Sequence, residues 1–254
     1  MRRRATTKQI VISLIVLAVV AGAGYWWWPH ILWSFLVARN QVRVRSVPVT
    51  EMKAPGRTKG WSECRIGPLS LKMPAGLAEN ADRSLGKATI NFTDTTMEIA
   101  LVVPFRIPPE NQSGAQQLAA TFHLSPIRIV AESYRASTDD FRWTMSRAEL
   151  SRLQILLGLG RTYPHPLASA VETRFEDALE GIFIIGDRRN VVFEWRTTSG
   201  SADGSLTFTG KDHDLDLDVL RDICQSVACD ESQLGPPYTK KELKQFLDTI
   251  KTTN

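Results

Sequence analysis

Residues 24–39 read GYWWWPHILWSFLVAR, with three consecutive tryptophans before a proline and a histidine. The stretch closes a run from Gln9 to Ala38 that holds no formally charged residue when His30 is neutral. A helix over residues 10–28 is about 28 Å long, close to the ~30 Å hydrocarbon core of a bilayer. The run therefore predicts an uncleaved membrane anchor over residues 10–38.

Aromatic residues mark the end of this apolar run. Tyrosine and tryptophan favour the membrane–water boundary, because their rings are apolar while their O–H and N–H groups need polar partners. Pro29 has no backbone N–H, so we expect it to kink the helix or to restart it. The apolar residues at 31–36 recur at helical spacing and are expected to lie along the interface. The predicted interfacial residues are Tyr25, Trp26, Trp27, Trp28 and Trp33.

Two alternatives to an anchor stay open. Residues 2–8 and 10–20 match the basic and apolar regions of a secretory signal, and Ala21-Gly22-Ala23 fits a cleavage site. Cleavage there would leave an aromatic, apolar N-terminus, which is a poor start for a soluble protein. A buried core helix is the second alternative, but an uncharged run of this length after three arginines is unusual for a core element.

The basic residues concentrate around this run. Residues 1–44 hold six Lys or Arg and no Asp or Glu, so the rest of the chain carries two more acidic than basic residues. A slightly acidic domain offers no footprint for nucleic acid, which we exclude as a partner. The arginine triplet at residues 2–4 favours a cytoplasmic N-terminus and an extracytoplasmic C-terminal domain, although basic residues after the run weaken this bias.

Changes in composition divide the rest of the chain into predicted segments. Residues 41–59 contain two prolines and a glycine without a sustained period, which predicts a tether. After Gly235-Pro-Pro, apolar residues at helical spacing predict a terminal amphipathic helix. The predicted segments are a basic tail (1–9), an anchor (10–38), a tether (39–60), a head domain (61–230), and a hinge with a C-terminal helix (231–254).

Alternating apolar residues predict most elements of the head. Phe141, Trp143 and Met145 alternate and predict a strand, and Ser146 with Glu149 then forms a capping box that starts a helix. Further helices are predicted over residues 114–122 and 216–227. Other predicted strands cover residues 69–73, 89–92, 97–105, 181–185, 191–196 and 205–209, the last three as an antiparallel meander. This order predicts an α+β fold with one mostly antiparallel sheet and flanking helices.

The strand LSLKMPAGL (residues 69–77), the late meander and the segment Gln225-Ser226-Val227 together resemble the layout of PsbP-like α/β sandwich domains. The resemblance covers residues 61–229 and rests on layout rather than on a diagnostic motif. The chain departs from it in the helix-rich residues 114–160 and in the added C-terminal helix. The resemblance implies a non-catalytic role in binding or assembly.

Motifs for chemistry are missing from the sequence. It contains no G-x-S-x-G, P-loop, H-E-x-x-H or C-x-x-C motif, so we predict no catalytic residue, no cofactor and no metal ligand. The densest set of possible ligands is KDHDLDLD (residues 211–218). We interpret it as a solvated turn followed by acidic residues at a helix N-terminus; a weak cation site is the alternative.

Three cysteines allow at most one intrachain disulfide. The predicted pair is Cys224 and Cys229 across a helix end, with Cys64 free. A bridge from Cys64 to either of the others, or three reduced thiols, stays open.

These features predict a membrane-anchored, extracytoplasmic binding or assembly domain that is not an enzyme and that has an unidentified protein partner. Two alternatives remain. The first is a cell-envelope hydrolase that uses His165 or the acidic residues 212–218. The second is a cytoplasm-facing adaptor, which follows if the orientation is reversed.

Overall fold

A computed structural model describes residues 7–40, 44–79, 81–82, 89–106, 119–162, 168–187 and 189–234. The α+β class is confirmed, but the predicted single sheet is wrong: a long N-terminal helix meets a head built on two sheets, because the strands around residues 62–73 pair with residues 228–229 instead of joining the large sheet. The helices are α1 Thr7–Asn40, α2 Ala75–Glu79, α3 Pro126–Arg135, α4 Arg147–Thr162 and α5 Leu217–Gln225. The strands are β1 Val49–Glu51, β2 Ser62–Ile66, β3 Leu69–Met73, β4 Ala81–Asp82, β5 Thr89–Thr93, β6 Met97–Arg106, β7 Ala170–Phe175, β8 Leu179–Asp187, β9 Asn190–Thr197, β10 Ala202–Gly210 and β11 Ala228–Cys229.

Helix α1 is bent rather than restarted at its proline. Its arms Ile15–Tyr25 and Trp27–Ser34 meet at 46°. Pro29 explains the bend, because it offers no N–H to the carbonyl of Tyr25 and its ring crowds that carbonyl. Within the described residues no single straight helix has the length and hydropathy of a membrane span; the two arms meet those criteria only together.

The larger sheet has eight strands in the order β1-β7-β8-β9-β10-β6-β5-β4. Neighbouring strands are antiparallel except for β1 and β7, which are parallel. Strands β7 to β10 form a meander, which confirms the predicted one and adds β7 to it. The apolar run of β8 is continuous because both faces are covered: Phe183 faces one core, and Ile182 and Ile184 face another.

Different elements cover the two faces of this sheet. A three-stranded antiparallel sheet, β11-β3-β2, packs with α5 on one face and forms the main core. Helix α3 packs on the other face against β7 and β8, and α4 lies outside α3. The largest fully buried side chains of the main core include Trp195, Phe183, Phe193, Phe208, Leu69 and Leu71.

A buried arginine on β7 holds the C-terminal end of α5. The Nη1 of Arg174 donates to the carbonyl oxygens of Cys224 (2.7 Å) and Val227 (3.0 Å), and Nη2 donates to Glu176 (2.6 Å). A cation in this place adds a strong donor to carbonyl groups at and just after the end of the helix, and it complements the negative end of the helix dipole.

Two buried acids hold the rest of α5. Glu172 of β7 accepts from Nη2 (2.6 Å) and Nε (2.9 Å) of Arg221. Asp222, which is 1% exposed, accepts from the backbone N–H groups of Gly56 (2.7 Å) and Arg57 (2.8 Å). The segment before β2 is therefore fastened to the helix.

The segment predicted as a tether contacts the head along much of its length. Val47 N–H donates to the Tyr134 carbonyl, and Met52 N–H donates to the Thr173 carbonyl, both at 2.8 Å. Between them β1 pairs with β7, and Val47 and Val49 pack against the core under α3. Residues 44–48 therefore lead directly into this edge strand.

The predicted strand over residues 141–145 is wrong. These residues form a turn after the 3₁₀ helix Thr138–Asp140, and their aromatic side chains contact α1 instead of a sheet. The capping box that follows is confirmed: Ser146 N–H donates to Glu149 Oε2 (2.7 Å) and Glu149 N–H donates to Ser146 Oγ (3.2 Å).

Helix α3 was not predicted, although Ser125 caps it and Pro126 opens it. Residues 119–122 of the predicted helix over 114–122 are helical. The start of that helix and the predicted C-terminal helix lie outside the described residues.

Candidate functional site at the end of the long helix

A buried histidine joins α1 to the head. His30 is 2% exposed, and its Nε2 lies 2.9 Å from the carbonyl oxygen of Met145. Because a carbonyl only accepts, this contact assigns a ring proton to Nε2. Among the described residues Nδ1 has no hydrogen-bond partner. The bond fixes both the rotation of α1 and its position along the head.

Aromatic rings surround this histidine. The ring of His30 stacks on Trp143 at 6.2 Å and 18°, and it lies 5.8 Å from Trp27 and 6.1 Å from Phe141. Trp33 lies 6.4 Å from Phe141. We call these five residues the aromatic junction. Aromatic pairs at such separations each contribute about 0.5–1.5 kcal/mol beyond the area that they bury, so the junction is a specific contact.

Two capping boxes hold the head's side of the junction. Ser137 N–H donates to Asp140 Oδ2 (2.8 Å) and Asp139 N–H donates to Ser137 Oγ (3.0 Å), which fixes the 3₁₀ helix before Phe141. Glu149 closes the second box, and its hydrogen bonds with the backbone N–H and hydroxyl of Ser146 lower its pKa. The turn between the boxes is therefore held at both ends.

A cation–π contact extends the junction toward the start of α1. The guanidinium of Arg147, the first residue of α4, lies 4.6 Å from the centroid of the Tyr25 ring. Tyr25 is 66% exposed, so the contact is worth about 0.5–1 kcal/mol.

An open groove of about 280 Å³ lies between α3 and α4, next to the junction. Met145 links the two, because it lines the groove and its carbonyl accepts from His30 of the junction. The charged walls are Glu132, Arg135, Asp140, Glu149 and Arg152, and the apolar floor is Ala136, Met145, Leu153 and Leu156. An apolar floor with charges of both signs suits a polypeptide segment, which has apolar and polar groups at close spacing.

Comparisons of this chain with protein-family models, curated proteins and solved structures found no match. The PsbP-like layout therefore stays a prediction from the sequence. The function of this protein must be argued from its own residues.

The structure divides the five predicted interfacial residues. Trp27 and Trp33 contact the head and belong to the aromatic junction, although Trp27 stays 45% exposed. Tyr25 contacts the head through Arg147, and Trp28 is 58% exposed. The side chain of Trp26 lies outside the described residues. The sequence prediction missed the contact with the head, although Trp27, His30 and Trp33 recur at intervals of three along one helix.

The interpretation of the acidic run as a turn and a helix start is confirmed. Asp212 and Asp214 are exposed, and Asp216 caps α5 by accepting from the N–H of Asp218 (3.0 Å). His213 is exposed in the same turn, and His165 lies outside the described residues. In the described ranges no group of three or more His, Cys, Asp or Glu is placed to hold a metal ion.

All three cysteines are free thiols in the structure, so the predicted bridge between Cys224 and Cys229 is not formed there. Cys64 and Cys229 lie on strands that flank β3, about two strand spacings or ~10 Å apart, which is too far for a disulfide. Burial raises the pKa of Cys224 well above the ordinary value, and burial together with Glu231 and Asp230 raises the pKa of Cys229 to about 11. Both thiols are therefore poor nucleophiles at neutral pH.

Proposed function

We propose that this protein is a single-pass membrane protein whose head binds or assembles with another membrane or envelope protein and carries out no catalysis. In this proposal the N-terminus is cytoplasmic and the head is extracytoplasmic. The observation that carries it is the aromatic junction, which fastens the head to residues 27–33 in the second half of the apolar helix α1.

The exposed side chains of α1 support a membrane environment. Between Ile15 and Val20 every described valine, leucine and isoleucine leaves more than half of its side chain uncovered by the head. An apolar surface of this kind requires a bilayer or another apolar partner. The bilayer fits best, because the arms of α1 together have the length and hydropathy of a span.

The groove is the proposed partner site. Since Met145 lines the groove and accepts from His30, the groove is held close to the aromatic part of α1 and therefore close to the proposed membrane surface. A partner segment that approaches along the membrane would meet the groove walls on α3 and α4. Its apolar residues would contact Met145, the half-buried residue of the floor, and its charged groups would pair with the walls.

Site-specific photocrosslinking in living cells tests the partner site. With a photoreactive amino acid at Arg152, on the groove wall, we expect a discrete adduct of higher mass. The matched control is Arg65 on β2, which is 78% exposed and belongs to the sheet that covers the opposite face of the large sheet. The charge reversal Arg135→Glu should lower the yield of the Arg152 adduct several-fold, while Glu63→Lys on β2 should not. Equal adducts at Arg65 and Arg152, or none at either, would contradict the groove as a partner site.

A reporter enzyme that is active only outside the cytoplasm tests the orientation. Fused after Asn254, it should be active, because the arginine triplet at residues 2–4 resists translocation. The control is the same reporter fused before Met1, which should be inactive. The reverse result would make this protein a cytoplasm-facing adaptor.

A further inference from the structure

Trp143 lies on the turn between the 3₁₀ helix and α4, and half of its side chain (50%) is exposed. In the described part of the head only Trp143 and Phe175 are large apolar side chains with such exposure. Phe175 has a cation above its ring, because the guanidinium of Arg128 lies 4.6 Å from the centroid. The exposed part of Trp143 instead lies beside the exposed aromatic side chains of α1.

We propose that the loop of residues 141–147 is a second membrane contact, in which Trp143 enters the boundary between lipid headgroups and acyl chains. This inference rests on the proposed function, since it requires α1 to lie in a bilayer. It goes beyond that function because it assigns a lipid-binding role to the head itself.

The length of α1 sets the depth of this loop. The distance from Ile10 to Trp27 along a helix is about 26 Å, close to the ~30 Å of the hydrocarbon core. Trp27 therefore lies near the level where the helix leaves the lipid tails. The Trp143 ring is centred only 6.1 Å from the Trp27 ring and is thus held near the same level. Tryptophan prefers this depth.

The bend of α1 keeps the head close to the membrane. With the first arm along the bilayer normal, the second arm is inclined by 46° and climbs only about 1 Å per residue instead of 1.5 Å. The junction residues Trp27, His30 and Trp33 then lie within about 6 Å of one another along the normal. The loop of residues 141–147, which contacts these junction residues, is therefore held close to the lipid headgroups.

The charged side chains around the loop can pair with lipid headgroups, but they do not favour an anionic lipid over a zwitterionic one. Arg142, which donates to the carbonyl oxygens of Asp139 and Phe141, and Arg147, which lies over the Tyr25 ring, are both exposed at the ends of the turn. Their remaining N–H groups can donate to headgroup phosphates. Nearby Asp139, Asp140 and Glu149 are exposed acids that offset this positive charge. We therefore expect Trp143 to enter zwitterionic and anionic bilayers equally.

Fluorine NMR of the full chain in nanodiscs tests the inference. The seven tryptophans are labelled with fluorotryptophan, and Trp143→Phe assigns its resonance. We expect lipids with a nitroxide near the top of the acyl chain to broaden the Trp143 and Trp28 resonances to a similar extent. A water-soluble gadolinium chelate should broaden Trp143 much less than it broadens a tryptophan of the urea-unfolded chain. Trp195, which is 1% exposed in the core, is the control that neither agent should reach.

The outcomes separate the two proposals. If the nitroxide lipid broadens Trp28 but leaves Trp143 sharp, and gadolinium broadens Trp143, the anchor stands and the second contact is wrong. If neither Trp28 nor Trp143 responds to the nitroxide, the membrane anchor itself is wrong, and the inference fails with it. If Trp143→Phe disturbs the fold, Trp→Phe changes at the other positions assign the same resonance by elimination.

Discussion

Replacing Arg174 with leucine is expected to lower the free energy of unfolding of the head by about 3 kcal/mol. Arg174 is buried, and its Nη1 satisfies the carbonyl oxygens of Cys224 and Val227 at the end of α5. Leucine leaves the Val227 oxygen without this donor and leaves the Cys224 oxygen with a long bond from the Val227 N–H (3.3 Å). An unpaired buried acceptor costs about 1–3 kcal/mol. It also removes the cation that faces the helix C-terminus.

Urea unfolding of the detergent-solubilised full chain, followed by circular dichroism, measures this loss. The matched control is Arg65→Leu, because Arg65 is an exposed arginine whose salt bridge in the described part of the chain is with Glu63 on the same strand. The control should change stability by less than about 0.5 kcal/mol. Arg174→Lys should fall between the two, since a single ammonium cannot reproduce the geometry of the guanidinium fork. A loss below about 1 kcal/mol for Arg174→Leu would show that the carbonyl oxygens find other partners.

Local patterns predicted the parts of the fold that depend on neighbouring residues. The meander follows from short apolar runs with turn residues between them, because antiparallel neighbours pair across short loops. The start of α4 follows from Ser146 and Glu149, whose two hydrogen bonds span only three residues. The predicted α+β class follows from these elements together.

Contacts between distant residues are what the sequence did not predict. β1 pairs with β7 in the register Val49 to Val171, and nothing in residues 44–60 alone indicates that partner. The alternation at Phe141, Trp143 and Met145 resembles a strand, but these residues pack on α1, and His30 is 115 positions from Met145. The separation of these residues in the chain also explains why the prediction of the candidate site was incomplete. The aromatic side chains of Trp27 and Trp33 indicated an interfacial position, but their contact with the head depends on tertiary packing.

The hydrogen bonds that hold α5 to the segment before β2 also join distant residues, so the sequence did not predict them. Gly56 adopts φ of +77°, a conformation that glycine tolerates, and this turn aims two backbone N–H groups at Asp222. A tether with one glycine and two prolines was a reasonable prediction from composition. The buried carboxylate 166 positions further along the chain turns that segment into part of the head.

Replacing Trp195 with alanine is expected to cost about 4 kcal/mol, within the range for truncation of a buried aromatic side chain. Trp195 is 1% exposed and lies opposite Gly204 in the β9–β10 register; a Cβ on Gly204 would come within 2.5 Å of its Cζ2. Its Nε1–H is buried and has no partner among the described residues, so Trp195→Phe should cost only about 1 kcal/mol.

Gly204→Ala should cost about 2 kcal/mol in the natural chain and much less when it is combined with Trp195→Ala, because the indole ring that the new methyl group would strike is then absent. Urea unfolding of the two single variants and the double variant measures this coupling. Additive losses would show that the indole does not occupy the space over Gly204.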